Sequence, residues 1–145
     1  MFSSNNTRYV HITLPPIDLR NVVNAEFMFS YIVFDTPVVI ENANKVQNCS
    51  NMFETCRFNN GLKICPFPQA KMCERTFTNV RVFNEYPDVD MATHFPIAEK
   101  CNSMFMYSIG VLKDTVNLAN SLQHVIDGSN MFCQVKGKNN ANVVF

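Results

Sequence analysis

The sequence predicts an α+β domain: a mainly antiparallel sheet, one long helix in the C-terminal half packed on it, and a cysteine-bearing hairpin insertion. Three features carry that expectation. Residues 94–127 place Ala98, Cys101, Phe105, Leu112, Ala119, Leu122 and Ile126 at intervals of three, four or seven, and a second row, Ile97, Met104, Val111, Leu118 and Val125, keeps a spacing of seven. On a helix the two rows lie side by side as one broad apolar face. Residues 9–14 alternate apolar and polar, the period of a half-buried strand. Asn60-Gly61 suits the two-residue type I′ loop of a hairpin.

Taken in order, residues 1–7 form a polar arm and residues 9–14 a strand that Pro15-Pro16 ends, because proline cannot donate to a ladder. Residues 25–34 hold Phe27, Met28, Phe29, Tyr31, Ile32, Val33 and Phe34, and that content favours a strand covered on both faces. Asp35-Thr36-Pro37 makes a turn before Val38-Val39-Ile40. Residues 41–75 read as a polar insertion, and residues 76–83 as another strand. Asp90 or Thr93 is the expected helix N-cap, Pro96 is tolerable in the first turn, and Gly128 marks the stop. Residues 131–135 and 142–145 are expected to pair as a terminal hairpin. No internal repeat and no domain boundary is expected, so residues 1–145 form a single domain.

Twelve basic and twelve acidic side chains cancel, which argues against a dedicated polyanion-binding surface built on a basic excess. Zero net charge also leaves little self-repulsion, and so favours association. Phenylalanine and methionine are high, at thirteen and eight residues, and tryptophan is absent. No apolar run reaches the roughly 20 residues of a membrane span. The start has neither a basic nor an apolar signal region, so no signal peptide and a reducing, cytoplasmic compartment are expected.

The six cysteines allow three readings. A hairpin at Asn60-Gly61 sets Cys56 opposite Cys65 at a non-hydrogen-bonded position, with Cys49 and Cys73 as a second rung and Cys101 and Cys133 as a third disulfide pair. Against this stands the rarity of disulfides in reducing compartments. Zinc held by Cys49, Cys56, Cys65 and Cys73, with His94 as a further ligand, is the second reading. Those intervals lack the close Cys pair of a zinc knuckle. Buried, reduced thiols are the third, and Cys101 on the apolar face fits it.

Other chemistry is thin. His11, His94 and His124 are scattered, and four glycines at 61, 110, 128 and 137 make no phosphate-binding loop. Lys136 and Lys138 are too few for a nucleic-acid patch. The aromatics Phe27, Phe29, Tyr31 and Phe34 lack the interleaved Arg or Lys of a single-strand-binding surface. No catalytic residue, no cofactor and no enzymatic role are expected.

In style, an Asn- and Phe-rich chain with several cysteines, no leader and short polar arms, the sequence resembles small virion proteins of large insect DNA viruses of the baculovirus type. That resemblance implies a virion or nucleocapsid component, found in the virion or in the host nucleus or cytoplasm. The expected function is therefore that of a structural or interaction protein, a small subunit of a larger capsid or nucleocapsid assembly that self-associates or binds protein partners. Met104, Val111, Leu118 and Val125 are the expected interface residues, since Met-rich apolar faces are common at contacts. The alternatives are a zinc-stabilised RING-like or nucleic-acid-binding adaptor and an enzyme with a cysteine nucleophile.

Overall fold

The computed structural model describes residues 10–116 and 122–145, and it overturns the α+β expectation. The chain is a β-solenoid, in which each short strand pairs in parallel with its counterpart one coil away. No antiparallel pair occurs among the described residues. One side stacks β1 (Val10–Ile12), β3 (Ile32–Phe34), β5 (Arg57–Phe58) and β7 (Arg81–Val82), and a second stacks β2 (Ile17–Asp18), β4 (Val38–Glu41) and β6 (Leu62–Ile64). The third is a line of isolated parallel bridges, Asn24↔Asn48↔Met72↔Lys100↔Asp127, each followed by tight turns. These intervals fix successive coils of 24, 24, 28 and 27 residues.

An internal repeat, contrary to the expectation of none, explains the stacking. Each coil carries apolar or small residues three apart and then a Met-Phe or Thr-Phe pair. Leu19, Val22, Ala25, Met28-Phe29 align with Ala43, Val46, Cys49, Met52-Phe53 and with Phe67, Ala70, Cys73, Thr76-Phe77. Phe95, Ala98, Cys101, Met104-Phe105 and Leu122, Val125, Gly128, Met131-Phe132 complete the set. Like residues fall on top of one another and fill the interior. The phenylalanine column runs Phe29–Phe53–Phe77–Phe105–Phe132, with centroids 5.7, 5.6, 5.5 and 5.9 Å apart and planes within 19°. Each such contact contributes about 0.5–1.5 kcal/mol beyond area burial.

The spacing that suggested a helix over 94–127 has this origin. Phe95, Ala98, Cys101, Met104 and Phe105 recur at three and four because the rung is a chain of three-residue turns. Ala98 N donates to Phe95 O at 3.2 Å and Met104 N to Cys101 O at 3.0 Å. The amides between them donate instead to the next coil, Cys101 N to Asp127 O and Ser103 N to Ser129 O. A helix has no such outward bonds. Helical structure here is a single turn, α1 (Met91–His94), with the expected cap: Asp90 Oδ1 accepts from Ala92 N at 3.0 Å. Of the expected helix, residues 117–121 lie outside the described residues, as does the polar arm at 1–7.

The hairpins are corrected too. Asn60-Gly61 turns a corner between two parallel sheets, and β5 and β6 do not pair with each other. Gly61 is required there. Its φ is +103°, and a Cβ would stand 2.7 Å from Glu85 Cβ in the coil above. Residues 41–75 thus run through two coils, with no hairpin among them. At the C-terminus, Val144 bridges in parallel to Thr115.

Left-handed backbone recurs in two columns on the rung: Phe27, Asn51, Arg75, Ser103, Asn130, and four residues on, Tyr31, Thr55, Asn79, Tyr107, Gln134. Of fifteen non-glycine residues with positive φ among the described residues, seven are asparagine, the residue that tolerates this conformation best after glycine. That gives the asparagine content a structural use in a chain with few glycines.

Candidate binding face

Parallel register decides which side chains meet. Inside the rung, Ala25, Cys49, Cys73, Cys101 and Gly128 share one column, so three thiols stack in the interior, all of them fully buried. Cys49 Sγ lies 3.6 Å from Cys73 Sγ, well beyond a covalent bond of about 2.05 Å. The pair that the sequence placed on a second rung is brought together, but as neighbours in parallel coils. The other proposed pairs are not. Cys56 donates from its Sγ to Phe29 O at 2.7 Å, and Cys65 accepts from Ala43 N at 3.4 Å on another side. Cys133 stands beside Tyr107 in the outer turn, away from Cys101. All six cysteines are free thiols.

Cys49, Cys56, Cys65 and Cys73 therefore do not converge as a zinc set, and among the described residues no three metal-ligating side chains form a site. Burial pushes the Cys56 thiol up to about 12 and raises Cys65 as well. The thiols of Cys101 and Cys49 on either side, together with burial, hold Cys73 well above the ordinary range. These three stay protonated at neutral pH, the opposite of an activated nucleophile.

The expected interface residues divide. Met104 and Val111 are fully buried in the solenoid core, Val125 is half-buried against it, and Leu118 lies outside the described residues. Of the histidines, His11 bonds Asp35 at 2.7 Å on the surface. His94 is half-buried, its Nδ1 3.1 Å from the Asp90 backbone, and burial lowers its pKa.

What the sequence did not reveal is a side face sorted by register. On the strand side, the outward column runs Arg57↔Arg81↔Ile109↔Lys136, while Val33, in register with Arg57 one coil earlier, is buried. Beside it stands the turn column Thr55, Asn79, Tyr107, Gln134. Two adjoining clefts of about 400 and 610 Å³ open here and share Asn79 and Arg81. No acidic side chain lines either cleft among the described residues. Asp35 stands at the edge, bonded to His11. Arg57 donates to Asn59 Oδ1 at 2.9 Å and lies 4.9 Å over the Phe83 ring. Lys136 donates to Asn142 Oδ1 at 2.7 Å. Elsewhere Arg20, Lys71, Arg75, Lys113 and Lys138 each face an acidic partner.

The ends of the solenoid differ as well. Phe145 tilts onto Phe132 at the last coil, 4.9 Å between centroids. The first described coil leaves Phe27, Met28 and Tyr31 at 56, 37 and 52% exposure, whereas Met52 and Met104, in the column of Met28, are fully buried. Among the described residues, strand β1 pairs on one side only, with β3.

Fold and faces define the class: a small parallel β-solenoid with exposed apolar side chains on its first described coil and one cationic side face. Among the described residues no helix is long and apolar enough to cross a membrane. No protein-family model matches the chain, and neither the curated proteins nor the solved structures contain a match to it.

Proposed function

We propose that the protein is a structural or interaction subunit of a larger assembly, docking through its first coil rather than through the helix face expected from sequence. The exposed apolar surface of Val10, Val23, Phe27, Met28 and Tyr31 on the first described coil, where β1 pairs among the described residues with β3 alone, carries this reading. A coil in a solenoid is stable when both of its faces are covered, and an unpaired strand edge is a template for another chain. A second copy seated coil against coil, related by a two-fold axis, would cover both open ends at once and close the assembly. The compositional likeness to small virion proteins of insect DNA viruses supports the same reading, with a viral particle as the assembly.

Size-exclusion chromatography with light scattering tests it. The wild-type chain is expected to elute above monomer mass at micromolar concentration. The double variant Phe27→Asn, Tyr31→Asn should elute as a monomer with an unchanged melting temperature, because Asn51 and Asn79 already occupy those columns in later coils. A wild-type chain that is monomeric at those concentrations would overturn the reading.

A further inference from the structure

We propose that the cationic side face binds single-stranded nucleic acid along the solenoid axis. Arg57 and Arg81 are direct neighbours in the β5–β7 register, and Lys136 stands two coils further in the same line. Neighbouring coils are about 4.8 Å apart, so like charges sit side by side, an arrangement that costs stability when nothing neutralises it. No carboxylate among the described residues pairs with any of the three, although five other cations of the chain have acidic partners. A ligand that repeats its negative charge along a line supplies what the face lacks.

The neighbouring column selects among polyanions. Tyr107 is 45% exposed at the junction of Arg81 and Lys136, and Phe145 is 51% exposed at the end of the same cleft. Asn79 and Gln134 offer amide donors and acceptors between them. Cations tracking a backbone beside aromatic rings that receive bases are the elements of sequence-tolerant single-strand binding. An acidic polysaccharide would use the charges but leave the rings without a base to stack on. Net neutrality of the chain hides this face, because no acidic side chain lines its two clefts among the described residues and Asp35 stands only at their edge.

Fluorescence anisotropy with a labelled mixed-sequence single-stranded oligonucleotide, on the full chain, tests the proposal against a labelled heparin fragment. Binding is expected at low salt, with a slope of log K against log salt of about −2 for three contacts. Arg57→Gln with Arg81→Gln should flatten that slope to about −0.7, while Lys45→Gln with Lys63→Gln, both exposed on other sides, should leave it unchanged. Tyr107→Asn, which copies Asn79 one coil earlier, should weaken the oligonucleotide roughly five- to a hundredfold and heparin hardly at all. All variants should keep the wild-type melting temperature; if the arginine pair does not, Arg57→Gln alone carries that arm. No binding at low salt, equal losses in the two charge variants, or heparin binding at least as tight and equally sensitive to Tyr107→Asn would each overturn it.

Discussion

The rung that holds Cys73, Thr76 and Phe77 and the face that holds Arg57 and Arg81 are built from the same stacked coils, yet they differ in how strictly the repeat is kept. In the rung the Phe29–Phe53–Phe77–Phe105–Phe132 column is kept in every coil and the other buried positions stay small or apolar with Thr76 as the exception, because a side chain there must fit the one above and the one below. On the side face the register is kept while the chemistry changes from Arg57 and Arg81 to Ile109 to Lys136. The difference teaches where stability and recognition reside. Identical stacking holds the coils together, and the outward columns are free to vary and so to bind.

Substitutions in the two regions should differ accordingly. The largest effect is expected at Phe77, fully buried and stacked between Phe53 and Phe105. Phe77→Ala should lose about 3–5 kcal/mol in urea unfolding. Phe132→Ala, half-buried at the last coil, should lose clearly less, whereas equal losses would contradict the stacked column. Next comes Gly110, with φ +73° and a Cβ position 2.8 Å from the Tyr86 ring. Gly110→Ala should cost about 1–3 kcal/mol by the same measurement. Thr76, whose Oγ1 donates to the backbone oxygens of Cys49 and Cys73 at 3.0 and 2.9 Å, replaces methionine in its column. Thr76→Val keeps the shape and should cost about 1 kcal/mol.

The smallest effect is a pH dependence. Burial lowers the His94 pKa below its ordinary 6.5, so the unfolded chain binds a proton more readily than the folded one. The stabilisation is fully present above pH 6.5 and is lost as pH falls through 6.5 toward the lower folded value. The melting temperature should therefore drop between pH 7 and pH 5.5, and His94→Gln should flatten that drop. An identical slope in the variant would remove His94 from the account.

Much of the interior was visible in the sequence without being correctly joined. Cys101 and Phe105 in one apolar row, Met104 in the row beside it, and Asp90 as one of two candidate caps all follow from patterns that the structure keeps. Periodicity alone does not distinguish a helix face from a chain of three-residue turns, since both repeat apolar side chains every three or four residues. The alignment of Cys49, Met52, Phe53 with Cys101, Met104, Phe105 across two coils was the available signal, and a search for self-similarity at periods of 24 to 28 residues would have found it. The side face was not legible in the same way. Arg57, Arg81 and Lys136 are far apart along the chain, and coils of unequal length hide their common register. Asn60-Gly61 shows a related limit: the dipeptide marks a tight turn correctly, but whether the chain then reverses or proceeds to a new sheet is set by the stacking.

NMR contacts in isotopically labelled protein test the parallel stack most directly. The account predicts ring-to-ring contacts linking Phe53 to Phe77 and Phe77 to Phe105, with amide contacts from one coil to the next. A continuous ladder of amide contacts three and four residues apart through residues 94–116, without those ring contacts, would contradict it.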